Sequence, residues 1–356
     1  MIESKNDPIL QEDLEINVSS TIIPWEKFEN STILITGATG LIGSQIIKTI
    51  ACYNRIKKQK IKVLACIRNL EKAKIIFEDI FDRPEIKFIE TDITKPFEID
   101  EPIQYFIHTA SFTSSQDFVN KPVDVIETSI YGTNQFLKLA LQKKAKGAVY
   151  LSSMEAFGVK DNSKELATEK DLGYIDLSNV RSCYPESKRL SENLCTAYAS
   201  QYNLPVKIAR LSQTFGAGIL YSENRIFAQF AKSVIEGKDI ELRTKGLSWG
   251  NYCYTRDTIQ GVLLLLIQGE KGEAYTITNE ATNIRIRDMA EMVANKIAMG
   301  NIKVIFNIPE SNLTYGYAPD TELHLSSAKI RALGWEASVS LEEAYKRLIQ
   351  SLRYNK

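Results

Sequence analysis

Tyr184 and Lys188 stand four residues apart in Tyr184-Pro185-Glu186-Ser187-Lys188, a spacing that puts both side chains on one face of a helix. Pro185 suits the first turn of that helix, whose start is expected near Ser182. A phenol is a weak base, with an ordinary pKa near ~10, but an ammonium one turn away, together with a positive nicotinamide, favours the phenolate and lowers that value. Such a pair can take the proton of a secondary alcohol while a hydride leaves the carbon. Ser153, just past the apolar run Gly147-Ala148-Val149-Tyr150-Leu151, can hydrogen-bond the same oxygen and orient it. A Tyr and a Lys at this spacing also occur on exposed helix faces, so the reading depends on a hydride acceptor close by.

Thr36 to Gly43, reading TGATGLIG, would hold that acceptor. Ser31-Thr32-Ile33-Leu34-Ile35 before it fits a buried parallel strand, and Ser44 to Ile50 after it has helical apolar spacing. Strand, glycine turn and helix make the first unit of a dinucleotide-binding fold. Gly37 would form the tight turn, Gly40 would admit the pyrophosphate, and Gly43 would let helix and strand pack closely. The amides of Leu41 and Ile42 would then face the phosphates at the positive end of the helix dipole. Arg68 closes the second strand, Ile61 to Ile67. An acidic residue there would hold the 2′-hydroxyl of NAD, whereas Arg can take the 2′-phosphate of NADP, so Arg68 inclines the choice of cofactor towards NADP. An Arg beside the adenine of NAD remains the alternative. Asp92, with Ile93, follows the third strand and can accept from the adenine amino group. Thr109, Ala110 and Ser111 leave the fourth strand and are small enough for the chain to pass close to the cofactor. His108, inside that apolar strand, is expected to be structural.

The elements that must position these groups alternate between strand and helix from Thr32 onward, which predicts an α/β fold with a Rossmann-type doubly wound parallel sheet. Helices are expected over Val123–Leu141, Ile226–Ile235, Ile286–Ala298 and Ser340–Leu352, and further strands over Val206–Leu211 and Ala274–Thr278. The basic stretch Arg55 to Lys62 reads as a solvated loop. Three parts are expected: an N-terminal extension over 1–28 (a surface arm or short packed helix), a dinucleotide-binding domain over 29–215, and a smaller α/β lobe over 216–356. That lobe is expected to be mainly substrate-binding, with part of its chain returning to the first domain.

Composition narrows the partners. The 356 residues carry 44 Lys+Arg against 44 Asp+Glu, so no global field draws the chain to nucleic acid or an anionic membrane. The apolar run Val262 to Ile267 is far too short to span a bilayer, and the N-terminus lacks the order of a signal peptide. Five cysteines without paired spacing read as reduced thiols rather than a disulfide frame or zinc site. Two histidines leave little material for a metal centre. A cytoplasmic protein is expected.

TGATGLIG, Asp92-Ile93, SSMEAFG (Ser152 to Gly158), YPESK and ARLSQTFGAG (Ala209 to Gly218) together resemble an extended short-chain dehydrogenase/reductase of the NAD-dependent epimerase/dehydratase group. The resemblance extends from about Ser31 to the segment Leu333 to Ala344. It implies a tightly held cofactor that oxidises a nucleotide-activated sugar and returns the hydride, a C-terminal lobe gripping the nucleotide diphosphate, and a homodimer. Dehydratases of this group have Thr, Asp and Glu where this chain has Ser153, Met154 and Glu155. A thioether cannot donate the proton that loss of water requires. Gly173 to Leu194 is most similar to UDP-glucuronate decarboxylases, which also keep a Glu at position 155 but place a basic residue where Gly250 stands. Arg225 or Lys245 would have to compensate. An epimerase needs only Ser153, Tyr184 and Lys188 with room for the sugar to turn. The resemblance therefore implies epimerisation first, with dehydration or decarboxylation through Glu155 as the alternative. Arg225 is the expected diphosphate ligand, since its guanidinium fork matches phosphate oxygens. Gln213 stands where relatives carry a sugar-contacting Asn. A non-catalytic dinucleotide sensor is the alternative of another class, and the presence of Ser153, Tyr184 and Lys188 together speaks against it.

Overall fold

The computed structural model describes residues 2–160, 166–308 and 322–355. In chain order the strands are β1 (Thr32–Thr36), β2 (Lys62–Ile67), β3 (Ile86–Glu90), β4 (Tyr105–His108), β5 (Gly147–Ser153), β6 (Val206–Leu211), β7 (Gln213–Phe215), β8 (Ile240–Leu242), β9 (Trp249–Tyr254), β10 (Ala274–Ile277), β11 (Asn279–Arg285) and β12 (Val304–Phe306). The helices are α1 (Pro8–Ser19), α2 (Leu41–Lys57), α3 (Leu70–Ile76), α4 (Ser115–Asn120), α5 (Pro122–Gln142), α6 (Cys183–Tyr202), α7 (Ile226–Glu236), α8 (Thr255–Gln268), α9 (Ile286–Met292), α10 (Ala328–Arg331) and α11 (Leu341–Tyr354).

Seven strands form a parallel sheet in the order β10-β6-β5-β4-β1-β2-β3. Every residue of β1 is buried, and its side chains alternate between two cores. Ile33 and Ile35 join Ile46, Ile47 and Ile50 of α2 on one face, whereas Leu34 joins Phe106, Phe136 and Leu137 on the other. Burial on both faces is why the strand reads as a continuous apolar run. The strand order reverses beside β1, and the crevice outside the carboxyl ends of β1 and β4 is where this architecture binds ligands. A three-stranded sheet, β11-β9-β7, and the pair β12-β8 build the rest of the C-terminal half around Phe215, Phe227, Tyr252 and Tyr345. Strand β10 returns to the main sheet and pairs with β6.

The N-terminal residues form α1, which packs on α2, α8 and α11. Asp7 caps it, accepting from Leu10 N at 3.0 Å. Glu3 is fully buried and accepts from Arg55 and Arg83. Burial opposes its ionisation, yet the bonds from Arg55, Gln11 and Arg83 hold its carboxyl down at about 2. Arg55 to Lys62 is therefore not simply a solvated loop: α2 runs to Lys57, and Arg55 in its last turn is ion-paired to Glu3. The helix expected over Ile286–Ala298 is α-helical only to Met292 and continues as a π turn over Val293–Ile297.

Candidate active site

The glycine turn is built as a cradle. Gly37 has φ +67, and a Cβ on it would lie 2.5 Å from the backbone N of Ala110. Thr109 closes the other side, its Oγ1 donating to Thr36 O at 2.7 Å and Gly37 O at 3.1 Å. A Cβ on Gly43 would lie 2.6 Å from Gly37 O, so only glycine lets α2 start this close to the turn. Gly40 is the N-cap of α2 and has no side chain to bond the first turn, leaving the Leu41 and Ile42 amides uncapped by any side chain. A turn that a Cβ would fill, ending in uncapped amides at a positive dipole end, fits a pyrophosphate. Arg68 is exposed immediately after β2. It lies near enough to Asp92 to favour the carboxylate, which bonds from Thr94 Oγ1 (2.7 Å) and Thr94 N (3.0 Å) already hold below its usual range. Ile93 is buried, its Cδ1 lying over the bare Gly132 of α5. Ser111 is half-buried, and its hydroxyl donates to Phe112 O.

The candidate catalytic residues come together at the carboxyl end of β5 and the first turns of α6. Ser153 is the last residue of β5; its Oγ accepts from Glu155 N at 3.2 Å and lies near enough to the Tyr184 hydroxyl to favour the phenolate. Tyr184 is buried and stacks on Phe118 of α4, with ring centroids 4.2 Å apart. Lys188 Nζ donates to Leu151 O at 2.8 Å and lies 5.7 Å from the centre of the Tyr184 ring. Beneath them a buried network ties the same elements together. Arg210 of β6 donates to both oxygens of Glu192 on α6, and Ser152 Oγ donates to Glu192 as well.

Lys188 and the positive nicotinamide together were expected to draw the pKa of Tyr184 down, and in the protein alone the balance runs the other way. Burial and the Glu155 charge instead push Tyr184 up to about 12, and the groups acting the other way are Ser153, Arg225 and Arg181. Burial lowers Lys188 itself to about 8, against the pull of Glu192. The physical reason is that both groups lie in the interior, where removing water outweighs one ammonium already committed to Leu151 O. His108 is structural as expected. It is fully buried beside Phe136 and Tyr150, its Nδ1 is 2.7 Å from Thr36 Oγ1, and burial and the Lys188 charge push it down to about 3.

Arg225 is the N-cap residue of α7. Its guanidinium pairs with Glu223 at 2.8 Å, faces the Phe227 ring, and is close enough to act on Tyr184. Gln213 opens β7, half-buried, in register with Tyr252 of β9. The residue that sequence reasoning missed is Arg181. It donates to both oxygens of Glu155, at 2.8 and 3.1 Å, and its guanidinium lies 5.5 Å from the Phe118 ring centre. Its signal was its position, one turn ahead of Tyr184. Met154 packs against the apolar cluster of Phe157, Ala167, Leu323 and Leu325, so no proton donor stands there.

Comparison with known proteins identifies the family. The model of the NAD dependent epimerase/dehydratase family matches residues 33–279. UDP-glucuronic acid decarboxylase 6 of Arabidopsis thaliana is 27% identical over 91% of this chain and 89% of its own length. An epimerase structure from Methanothermobacter thermautotrophicus superposes with a TM-score of 0.77 at 19% identity, covering 94% of this chain and 96% of that one. The dTDP-glucose 4,6-dehydratase DesIV of Streptomyces venezuelae, solved with NAD bound, gives a TM-score of 0.73 at 20% identity over 91% of this chain and 97% of that one. The chain is an enzyme that belongs to the NAD-dependent epimerase/dehydratase family, whose members act on nucleotide sugars.

Proposed function

We propose that this chain interconverts the C4 epimers of a neutral nucleotide-diphosphate sugar by oxidising the sugar and returning the hydride to the opposite face. The bound dinucleotide supplies the hydride acceptor. Tyr184 takes the proton of the sugar hydroxyl, Ser153 fixes that hydroxyl, and Lys188 holds its charge beneath the tyrosine ring. Arg225 exchanges Glu223 for the substrate diphosphate, whose oxygens match its planar fork. Gln213 is the sugar-side contact from β7.

The observation that carries this choice is at Gly250. A Cβ there would lie 2.6 Å from Cζ of Tyr252, so the buried Tyr252 ring fills the space from which the basic residue of a decarboxylase would extend. The decarboxylase reading is favoured by the likeness to UDP-glucuronic acid decarboxylase 6 and by the Glu155–Arg181 pair, which keeps a carboxylate and a cation beside Tyr184. Incubation with a panel of UDP- and dTDP-sugars, followed by NMR, decides between them. A 4-epimer from a neutral hexose supports the proposal, and carbon dioxide from UDP-glucuronate with no such epimer refutes it.

In the same reading Arg68 meets a 2′-phosphate, so NADP should bind at least as tightly as NAD in a titration. The protein is read as a cytoplasmic homodimer paired through α5 and α6, where Val123, Ile126, Tyr131 and Leu190 are exposed. Light scattering should return twice the chain mass.

A further inference from the structure

Arg181 and Glu155 lie on two short 3-10 turns that lead directly out of, and into, the elements holding the reacting side chains. Glu155 is in the turn Met154–Phe157, which Ser153 caps at the end of β5. Arg181 is in the turn Val180–Ser182, which runs into α6 ahead of Tyr184. Each turn is fixed by its own cap: Glu155 N donates to Ser153 Oγ, and Arg181 N donates to Asn179 Oδ1 at 3.0 Å. The bidentate pair joins the turns, so the same two bonds tie the serine segment to the tyrosine segment. The guanidinium also faces Phe118, whose ring is stacked on Tyr184 with planes 12° apart. Arg181 Nε is buried without a hydrogen-bond partner, so the bonds its guanidinium makes among the described residues are the two to Glu155.

We propose that the Glu155–Arg181 ion pair is a positioning element that sets how readily Tyr184 gives up its proton, with Arg181 acting by masking the Glu155 charge. The two members push in opposite directions: the Glu155 carboxylate favours the phenol, and the Arg181 guanidinium favours the phenolate. Among the described residues, the other polar and charged groups around Tyr184 include Ser153 and Tyr150 from β5, Arg225 ahead of α7, and Lys188 on its own helix, while α4 contributes the apolar face of Phe118. None of these is bonded to Glu155 in the way Arg181 is. This rests on the reading of Tyr184 as the base.

The test uses protein labelled with 13C at the tyrosine ζ carbon and saturated with dinucleotide, the Tyr184 signal being identified by its loss in Tyr184→Phe. Removing one charge near a buried phenol moves its titration by about one pH unit. Glu155→Gln should lower the Tyr184 midpoint by about that much, and Arg181→Gln should raise it. The Glu155→Gln/Arg181→Gln double variant should return to near the wild-type value, and Arg181→Lys should restore most of the single loss. A purely structural role would move both single variants the same way through loosened packing. Shifts of one sign in both, or no shift in either, overturn the proposal. Failure of the catalytic reading shows separately, as full turnover by Tyr184→Phe, and leaves the NMR result standing.

Discussion

The Tyr252 ring lies against the bare backbone of Gly250, with Cζ 2.6 Å from where a Cβ at 250 would stand. Tyr252 is itself fixed in the C-terminal core, edge-on to Phe215 at 5.8 Å. The glycine is therefore a consequence of packing as well as a missing cation. Gly250→Arg should overpack this site and destabilise the protein by about 1–3 kcal/mol. Urea denaturation measures it; an unchanged midpoint, or newly gained decarboxylation of UDP-glucuronate, would show that the ring moves aside freely.

Tyr184→Phe should lose about 10²–10⁴-fold in turnover, the size of a general acid–base contribution. The ring stacked on Phe118 is retained, so the melting temperature should change little. Normal turnover in this variant would remove Tyr184 from the chemistry.

Asp13 of α1 accepts from the Tyr254 hydroxyl at 2.6 Å and from Arg347 at 2.9 Å, and it pairs with Arg256 at 3.2 Å. Burial lifts its carboxyl to about 6 against all three. Asp13→Asn leaves two largely buried guanidinium groups short of a charge and should cost about 3 kcal/mol of stability. An unaltered denaturation midpoint would mean that α1 is not what ties the N-terminus to α8 and α11.

His108 gives a pH dependence of defined sign. An unfolded histidine takes a proton near ~6.5, whereas His108 in the fold resists until about 3. The unfolded chain binds the extra proton between those values, so this term lowers stability as pH falls, by up to about 1.4 kcal/mol per pH unit. The stability of His108→Gln should therefore fall less steeply than wild type from pH 6.5 downward. Parallel slopes would show that His108 is protonated in the native state.

How much was legible in the sequence follows from how local each signal is. Gly37, Gly40 and Gly43 act within one strand–turn–helix unit, so their pattern reads directly. Tyr184 and Lys188 share a helix, and Ser153 ends a recognisable strand. The pairing of Arg181 with Glu155 crosses two short turns of no apolar periodicity, and nothing in residue spacing brings those turns together. The burial of Tyr184 was not legible for a related reason: spacing gives its proximity to Lys188, whereas the packing of Phe118 from α4 on its ring is a tertiary fact. The role of Gly250 was read as an absence, and only the fold shows Tyr252 occupying the space.

The central claim is tested most directly with a nucleotide sugar carrying deuterium at C4, incubated in ordinary water and analysed by NMR. The account predicts that the 4-epimer forms with its C4 deuterium retained, because the hydrogen removed from that carbon is the one returned to it. Formation of the epimer with C4 deuterium washed out, or product altered only at another carbon, would contradict it.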